Sequence, residues 1–200
     1  MEERIAILIL AAGASSRFNS PKQLLKFRGK SLVEHAVDTA LSANIGPVYV
    51  VLGNSGEEIA KELHAIRDKI TILINPDWNA GVSSSIKKGF KEVENNHEDI
   101  YGVMVTLADQ PLITVSHLIK MVKSHFTFGK NIIASGYGGS FGVPVFFHKS
   151  LFNYIEKLDG DRGAKSIISK LKRDVHIVPN PDAELDINTE EDYKILLNRS

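Results

Sequence analysis

Small residues and two cations follow the first apolar run of the chain. Residues 5–10 are all apolar, and the segment behind them holds Gly13, Arg17 and Lys22. Glycine lets a backbone approach a ligand closely, while guanidinium and ammonium groups offset the charge of phosphate oxygens. This spacing predicts a phosphate-binding loop after a strand, although a plain tight turn explains the small residues equally well. The backbone expected to contact a nucleotide is that of Leu10, Ala11, Ala12 and Gly13.

Two aspartates occupy positions that suit a divalent cation. Asp109 follows the apolar run 101–107, and Asp186 stands two residues before Asn188. Carboxylates are common Mg²⁺ ligands, and residues two apart in an extended segment point the same way. We expect Asp109 and Asp186 to hold Mg²⁺ near the phosphate loop. The alternatives are a turn cap at Asp109 and a simple helix start after Asn188.

Three serines at positions 83–85 follow Gly81 at the start of a predicted helix. Hydroxyls and the free N–H groups of a helix N-terminus suit a nucleobase edge or an anion. We expect Gly81, Ser84 and Ser85 to contact the nucleotide. Ordinary N-capping is the alternative for each serine, and a packing role is the alternative for Trp78.

Composition narrows the function classes. Lysine plus arginine equals aspartate plus glutamate at 24 each, which argues against nucleic acid or an anionic membrane as a partner. The chain has no cysteine, which excludes disulfides, thiolate zinc sites and cysteine nucleophiles. No apolar run approaches the roughly 20 residues of a membrane helix, and the first run lacks signal-peptide features. We therefore expect a soluble, cytoplasmic protein.

Apolar runs alternate with helical patterns along most of the chain. This alternation predicts βαβ units and a Rossmann-like, three-layer α/β/α fold with a mostly parallel sheet. The glycine-rich stretch 135–142 and the extended run 143–147 predict a small antiparallel hairpin beside that sheet. Ser31 and Glu34 form a capping-box pattern at a helix start. With 200 residues, 43% of them hydrophobic, the chain is expected to be one domain over residues 1–200.

The remaining elements are placed by the same patterns. Helices are expected over about 57–66, 83–93, 115–126, 151–158 and 164–171, and a last helix from about 189. The expected strands are residues 5–10, 48–52, 70–74, 101–107, 132–134 and 175–178.

Six segments, taken in order, carry a more specific pattern. They are residues 10–17 with 21–22, 75–78 with 81–85, 108–112, 142–146, 160–164 and 186–192. Together they resemble the MobA-like nucleotidyltransferases, and most closely the branch that contains the molybdenum cofactor cytidylyltransferases. Each segment alone is weak, but the ordered set covers nearly the whole chain.

The resemblance implies a nucleotide-diphospho-sugar transferase fold and an activity. A nucleotidyl group would pass from an NTP, with CTP favoured, to a phosphorylated acceptor such as molybdopterin or the molybdenum cofactor. Pyrophosphate would leave, Mg²⁺ would be the cofactor, and a molybdoenzyme or its chaperone would be a protein partner. The implied catalytic residues are Arg17, Lys22 and Asp109, the metal ligands are Asp109 and Asp186, and the acceptor-binding residues are Gly142, Pro144, Asp161 and Gly163.

The sequence departs from the family pattern at three places. Phe18-Asn19 replaces Met-Gly, Val143 replaces a histidine, and Asn188 replaces a carboxylate and so removes one negative charge from the metal site. Two alternatives remain open: a nucleotidyltransferase that uses GTP or a sugar or alditol phosphate, and a non-catalytic protein that delivers a bound nucleotide or cofactor. Two aspartates together with two cations favour the enzyme.

Overall fold

The computed structural model of the protein describes residues 4–161 and 163–199. Its centre is a seven-stranded sheet, and two further short strands form a separate hairpin. The strands in chain order are β1 (Ile5–Ala11), β2 (Lys26–Phe27), β3 (Lys30–Ser31), β4 (Val48–Leu52), β5 (Thr71–Ile74), β6 (Gly102–Leu107), β7 (Ile132–Tyr137), β8 (Ser140–His148) and β9 (Val175–Pro179). Across the large sheet their order is β5-β4-β1-β6-β8-β7-β9, and β2 pairs with β3.

The large sheet is mostly parallel, as the sequence predicts. β1 pairs in parallel with β4 and β6, β4 with β5, and β7 with β9, whereas β8 runs antiparallel to both β6 and β7. The hairpin of β7 and β8 therefore lies within the main sheet, and its predicted place beside the sheet is wrong. The reason is burial: Val145, Phe146 and Phe147 are fully buried and pair with β6, so the edge of β6 is covered.

Helices cover both faces of the sheet. They are α1 (Leu32–Ala43), α2 (Gly56–Glu62), α3 (Val82–Asn96), α4 (Val115–Phe128), α5 (Phe152–Glu156), α6 (Ala164–Lys170) and α7 (Glu190–Leu197). The predicted capping box before α1 is confirmed, since the side chains of Ser31 and Glu34 each accept the other's backbone N–H. No helix within residues 4–161 and 163–199 combines the length and the apolar character needed to cross a membrane.

Two predicted helices are shorter than expected. The helix expected over residues 57–66 ends at Glu62 and is followed by a 3₁₀ helix, His64–Lys69. The helix expected over residues 151–158 is divided into the 3₁₀ turn Lys149–Leu151 and α5. Leu63 and Leu151 are buried where the pitch changes, so packing on the core favours the tighter turn.

Strand β1 is buried along its whole length because both of its faces are covered. Side chains at positions 6, 8 and 10 pack in a cluster with α3, α5 and α6. Those at positions 5, 7, 9 and 11 pack in a second cluster with α1, α2 and α4. This double burial explains the continuous apolar run, which is typical of a central parallel strand. The architecture is the three-layer α/β/α arrangement that the sequence predicts.

The path of the chain creates a crevice at the carboxyl ends of β1 and β6. After β1 the chain crosses through α1 to β4 on one side, while β6 pairs with β1 on the other. Open α/β sheets bind ligands where the connections diverge in this way. The loops that follow β1 and β6 meet there, and the backbone N–H of Ala108 donates to the carbonyl oxygen of Leu10 at 3.1 Å.

A buried histidine lies between α4 and the sheet. His117 Nε2 is 2.8 Å from Oγ of Ser135, and that hydroxyl donates its own proton to the carbonyl oxygen of Pro144. The imidazole must therefore donate to Ser135, which a neutral ring protonated at Nε2 can do. Burial is the main reason that the pKa of His117 is lowered to about 4, and the charge of Lys120 adds to it.

His117 should contribute a loss of stability as the pH falls from 6.5 toward 4. In that window the unfolded chain takes up a proton at His117 that the folded chain does not, so stability present above pH 6.5 is lost. The shift sets an upper limit of about 3 kcal/mol on this loss. Urea unfolding at pH 7, 6, 5 and 4.5 measures it. The stability of the wild type relative to His117→Gln should fall across this window, and a constant difference between the two proteins would exclude His117 as the source of the loss.

Candidate active site

A cavity of about 340 Å³ lies at the carboxyl ends of β1 and β6. Its walls come from the loop after β1, the segment before α3 and the loop after β6. These are the three segments in which the sequence places a nucleotide site. The predicted residues that line it are Leu10, Ala11, Ala12, Gly13, Lys22, Gly81, Ser85, Asp109 and Asp161.

Other predicted residues lie outside the cavity wall. Arg17 is exposed. Its charge acts on Asp192 at the start of α7. Burial raises the pKa of Asp192, but hydrogen bonds from Thr189 and Asn188, together with the charge of Arg17, lower this pKa overall. Arg162, in the 160–164 segment, lies outside the described residues. The cavity wall does not include Arg17, Ser84, Asp186, Gly142, Pro144 or Gly163.

The loop after β1 is held by Gln23, a residue that the sequence analysis does not single out. Its side chain is only 2% exposed, and its Nε2 donates to the carbonyl oxygens of Ala11 at 3.1 Å and Gly13 at 3.2 Å. Its Oε1 accepts from Oγ of Ser15 at 3.1 Å. A polar residue next to Lys22 is expected to be exposed, so the sequence alone does not indicate that this amide is buried.

Packing within the protein does not require the glycine at position 13. A methyl group added there would meet only Gln23 Nε2, at 4.0 Å. Space beside a backbone that lines a cavity is what close approach of a ligand needs. The open space at Gly13 leaves room for a ligand beside the backbone of this loop.

Lys22 connects three segments that are far apart in the sequence. Its Nζ forms a salt bridge with Oδ2 of Asp109 and donates a hydrogen bond to Oδ1 of Asn188 at 2.9 Å. The backbone N–H of Ile187 donates to the carbonyl oxygen of Asp109 at 3.0 Å, which fixes the C-terminal segment against the loop after β6. The side chains of Lys22 and Asp109 are 13% and 16% exposed, so the ion pair is largely shielded from water.

The two aspartates retain capacity for a cation. Oδ1 of Asp109 is buried and has no hydrogen-bond partner among the described residues. Oδ1 of Asp186 accepts from Nε2 of Gln110 at 2.7 Å. The pKa of Asp186 is raised to about 6, chiefly by burial and then by the charge of Asp109. The hydrogen bond from Gln110 and the charges of Lys22 and Lys165 lower this pKa, but by less. A nearby divalent cation would relieve both the unpartnered oxygen and this repulsion.

The ligand set fits Mg²⁺ only if the substrate supplies further oxygens. In the part of the chain that the structure describes, no group of three or more His, Asp or Glu side chains could hold a metal. Mg²⁺ commonly binds one or two carboxylates and completes its shell with waters and substrate phosphates. Asp109 and Asp186 meet that requirement.

The three serines lie in the first turn of α3 and do not cap it, so the N-capping alternative is wrong. Gly81 occupies the N-cap position, and no side chain accepts a hydrogen bond there. Nδ2 of Asn75 donates to Oγ of Ser84 at 2.9 Å and to Oγ of Ser85 at 3.0 Å. Ser84 Oγ also lies 2.8 Å from the carbonyl oxygen of Gly81, so it stabilises the turn while Ser85 lines the cavity.

Gly81 is a glycine because two segments cross there. Its φ is +96°, and a methyl group on it would lie 2.5 Å from the backbone of Gly160. The backbone N–H of Ser83 donates to the carbonyl oxygen of Gly160 at 3.1 Å. This crossing brings Asp161, an expected acceptor residue, to the cavity wall.

The chain matches solved structures along nearly all of its length. A manganese complex of a Mycobacterium tuberculosis protein is 22% identical, with a TM-score of 0.81, and the match covers 99% of this chain and 100% of that one. The molybdopterin-guanine dinucleotide biosynthesis protein A of Archaeoglobus fulgidus is 16% identical, with a TM-score of 0.71 and 98% of each chain covered. These similarities show a nucleotide-diphospho-sugar transferase fold, as the sequence predicts.

Sequence comparisons define the family and its activity. The model of the MobA-like NTP transferase domain matches residues 7–180. The chain therefore belongs to the MobA-like NTP transferase family and is a nucleotidyltransferase. The purine catabolism protein PucB of Bacillus subtilis is 29% identical over 197 residues, 94% of each protein. Nicotine blue oxidoreductase of Paenarthrobacter nicotinovorans is 32% identical over 119 residues, 59% of this chain and 55% of that protein.

Replacing Gln23 by leucine should weaken the first loop. The carbonyl oxygens of Ala11 and Gly13 lose their donor, which costs about 1–3 kcal/mol for a buried polar group. Asn54→Ala is the matched control, because that exposed amide also donates to a carbonyl of this loop, at Ala14, and should cost less than about 0.5 kcal/mol. Urea unfolding measures both. Equal effects would show that burial of the Gln23 amide is unimportant.

Proposed function

We propose that the protein transfers CMP from CTP to the terminal phosphate of molybdopterin or the molybdenum cofactor, with Mg²⁺ as cofactor and pyrophosphate as the leaving group. The observation that carries this proposal is the contact of Lys22 with Asp109 beside the unpartnered Asp109 oxygen, at a cavity within the usual size range of small-molecule sites, about 300–1,000 Å³. A cation, a carboxylate and a glycine loop at one place suit a metal-bound triphosphate.

Each group has a proposed task. The backbone from Leu10 to Gly13 would contact the triphosphate, with Lys22 neutralising its charge and Arg17 reaching in from the rim of the site. Gly81 and Ser85 would form the wall on the nucleoside side, and Ser84 would contribute by holding the turn at Gly81. Gly142, Pro144, Asp161 and Gly163 would form the acceptor side.

The metal would be held by Asp109 and Asp186. When bound, Mg²⁺ supplies positive charge to the phosphate oxygens and orients them. The manganese in the complex of the M. tuberculosis structure supports a divalent cation at such a fold. Lys22 would move from Asp109 and Asn188 to the phosphate oxygens once the carboxylate binds metal.

The reaction is a direct displacement at phosphorus. An oxygen of the acceptor's phosphate forms a bond to the α-phosphorus of CTP, the bond from that phosphorus to the bridging oxygen breaks, and pyrophosphate leaves with the electron pair. The acceptor phosphate is already ionised, so no general base is needed. Positioning of two anions and neutralisation of their charge account for catalysis.

The choice of CTP and molybdopterin is the finer part of the proposal. The choice of CTP is supported by the six-segment resemblance to the cytidylyltransferase branch. The choice of molybdopterin is supported by the name of the A. fulgidus neighbour, a molybdopterin-guanine dinucleotide biosynthesis protein, whose guanine is the base of the GTP alternative. We further propose one domain over the whole chain, a cytoplasmic location, and a molybdoenzyme or its chaperone as the partner that receives the product.

Removing either Lys22 or Asp109, which form a salt bridge at the cavity, should strongly reduce turnover. Lys22→Ala and Asp109→Ala should each reduce the rate of pyrophosphate release by roughly a hundredfold or more, because charge stabilisation in the transition state is lost. Lys30→Ala and Asp38→Asn are matched controls, since Lys30 and Asp38 form an exposed pair that does not line the cavity. Circular dichroism checks folding. Normal turnover in either Lys22→Ala or Asp109→Ala would contradict the assignment.

A nucleotide panel tests the activity itself. Pyrophosphate release with CTP, GTP, ATP and UTP, each with molybdopterin and Mg²⁺, should be fastest with CTP and should stop when EDTA removes the metal. Release that needs GTP, or a sugar or alditol phosphate, would change the substrate and keep the activity class. Tight CTP binding without turnover, unchanged in Asp109→Ala, would favour the non-catalytic delivery protein.

A further inference from the structure

Two donors outside the cavity wall converge beside Gly142. Lys165, near the start of α6, and Tyr137, at the end of β7, both adjoin Gly142 of β8. A methyl group on Gly142 would lie 2.4 Å from Oη of Tyr137 and 3.2 Å from Cε of Lys165. The ammonium and the phenol therefore share one face of β8, above a residue whose lack of a side chain leaves them room.

Neither donor is used within the described part of the protein. Lys165 is exposed and forms no ion pair there, whereas Lys22 is held by Asp109 and Asn188. The phenol of Tyr137 makes no hydrogen bond to another described residue. Burial and the charge of Asp186 raise the pKa of Tyr137, so the phenol keeps its proton at neutral pH and can donate it. A cation and a neutral O–H side by side suit an anion with several oxygens.

The two donors adjoin the proposed metal site without lining the nucleotide cavity. The charges of Lys165 and Lys22 both act on Asp186, so that carboxylate is near both lysines. Nε2 of Gln110, which donates to Asp186, also lies 3.5 Å from the carbonyl oxygen of Val143, next to Gly142. Gln110 thereby links Asp186 to the part of β8 that carries Gly142.

The acceptor phosphate needs a positive charge near its path to the bound triphosphate. A dianionic phosphate that approaches the α-phosphorus of a bound triphosphate meets the charges of Asp186, Asp109 and the triphosphate itself. Lys22 is committed to the nucleotide side in the proposed reaction. The charge of Lys165 acts on Asp186 and lowers its pKa, so this lysine offsets part of the repulsion.

We propose that Lys165 and Tyr137 form the subsite that binds the phosphate monoester of the acceptor, with Gly142 beneath them. The inference rests on the proposed function, and it adds residues that determine which second substrate is accepted. The subsite takes a terminal phosphate monoester, because a diester carries one charge fewer and fewer free oxygens for two donors.

Kinetics separates this role from a structural one. With CTP and Mg²⁺ saturating, Lys165→Ala should raise the KM for molybdopterin roughly tenfold to a hundredfold, as expected for loss of a hydrogen bond to a charged group, and leave the KM for CTP unchanged. Lys165→Arg should restore most of the affinity, and Tyr137→Phe should raise the KM several-fold. Lys170→Ala, on the same helix, is the matched control and should resemble the wild type. Equal effects on both KM values, or none, would overturn the subsite.

A second measurement does not depend on turnover. Acetylation of Lys165 and Lys170 by acetic anhydride, followed by peptide mass spectrometry, is compared with and without phenyl phosphate. Phenyl phosphate should protect Lys165 severalfold in the wild type and much less in Tyr137→Phe, and Lys170 should react equally throughout. If no acceptor supports turnover but Lys165 is protected, the proposed function fails and the phosphate subsite stands. Equal reactivity of Lys165 with and without the monoester would overturn the subsite.

Discussion

The contact of Lys22 with Asp109 and Asn188 is the interaction on which the site depends. It joins the loop after β1, which contains the lysine, to the loop after β6 and to the segment before α7. Asp109 and Asn188 are 87 and 166 residues away from Lys22 in the sequence. None of these segments is adjacent until the sheet has formed, since β1 and β6 become neighbours only through pairing. The parallel order of the central strands is therefore the condition for the chemistry, and the helices serve to bury both faces of that sheet.

Those parts of the fold that depend on local pattern could be predicted from the sequence. The apolar run of β1 and the reciprocal cap of α1 by Ser31 and Glu34 are each encoded by a few neighbouring residues. The place of β8 could not be predicted, because an extended run after a glycine-rich turn does not say which strand it will pair with. Burial of Val145 to Phe147 against β6 decides that, and burial is a property of the whole sheet.

The site follows the same division. Motif order led to Lys22, Asp109 and the loop around Gly13, and the structure brings these to one cavity. No sequence pattern indicates Gln23, Tyr137 or Lys165, because what each can do depends on which backbone or carboxylate lies beside it in space. In the sequence, a buried amide that donates to two carbonyl groups and a surface lysine whose charge acts on an aspartate look like ordinary polar residues.

The three-segment contact also has a thermodynamic consequence. A nucleotide held between the first loop and Asp109 finds its partners assembled only in the complete fold, because the unfolded chain keeps them far apart. Binding energy is then added wholly to the native state, and stability rises with the logarithm of nucleotide concentration above the dissociation constant. The resting protein in a cell rich in nucleoside triphosphates would thus be more resistant to unfolding than the same chain without ligand.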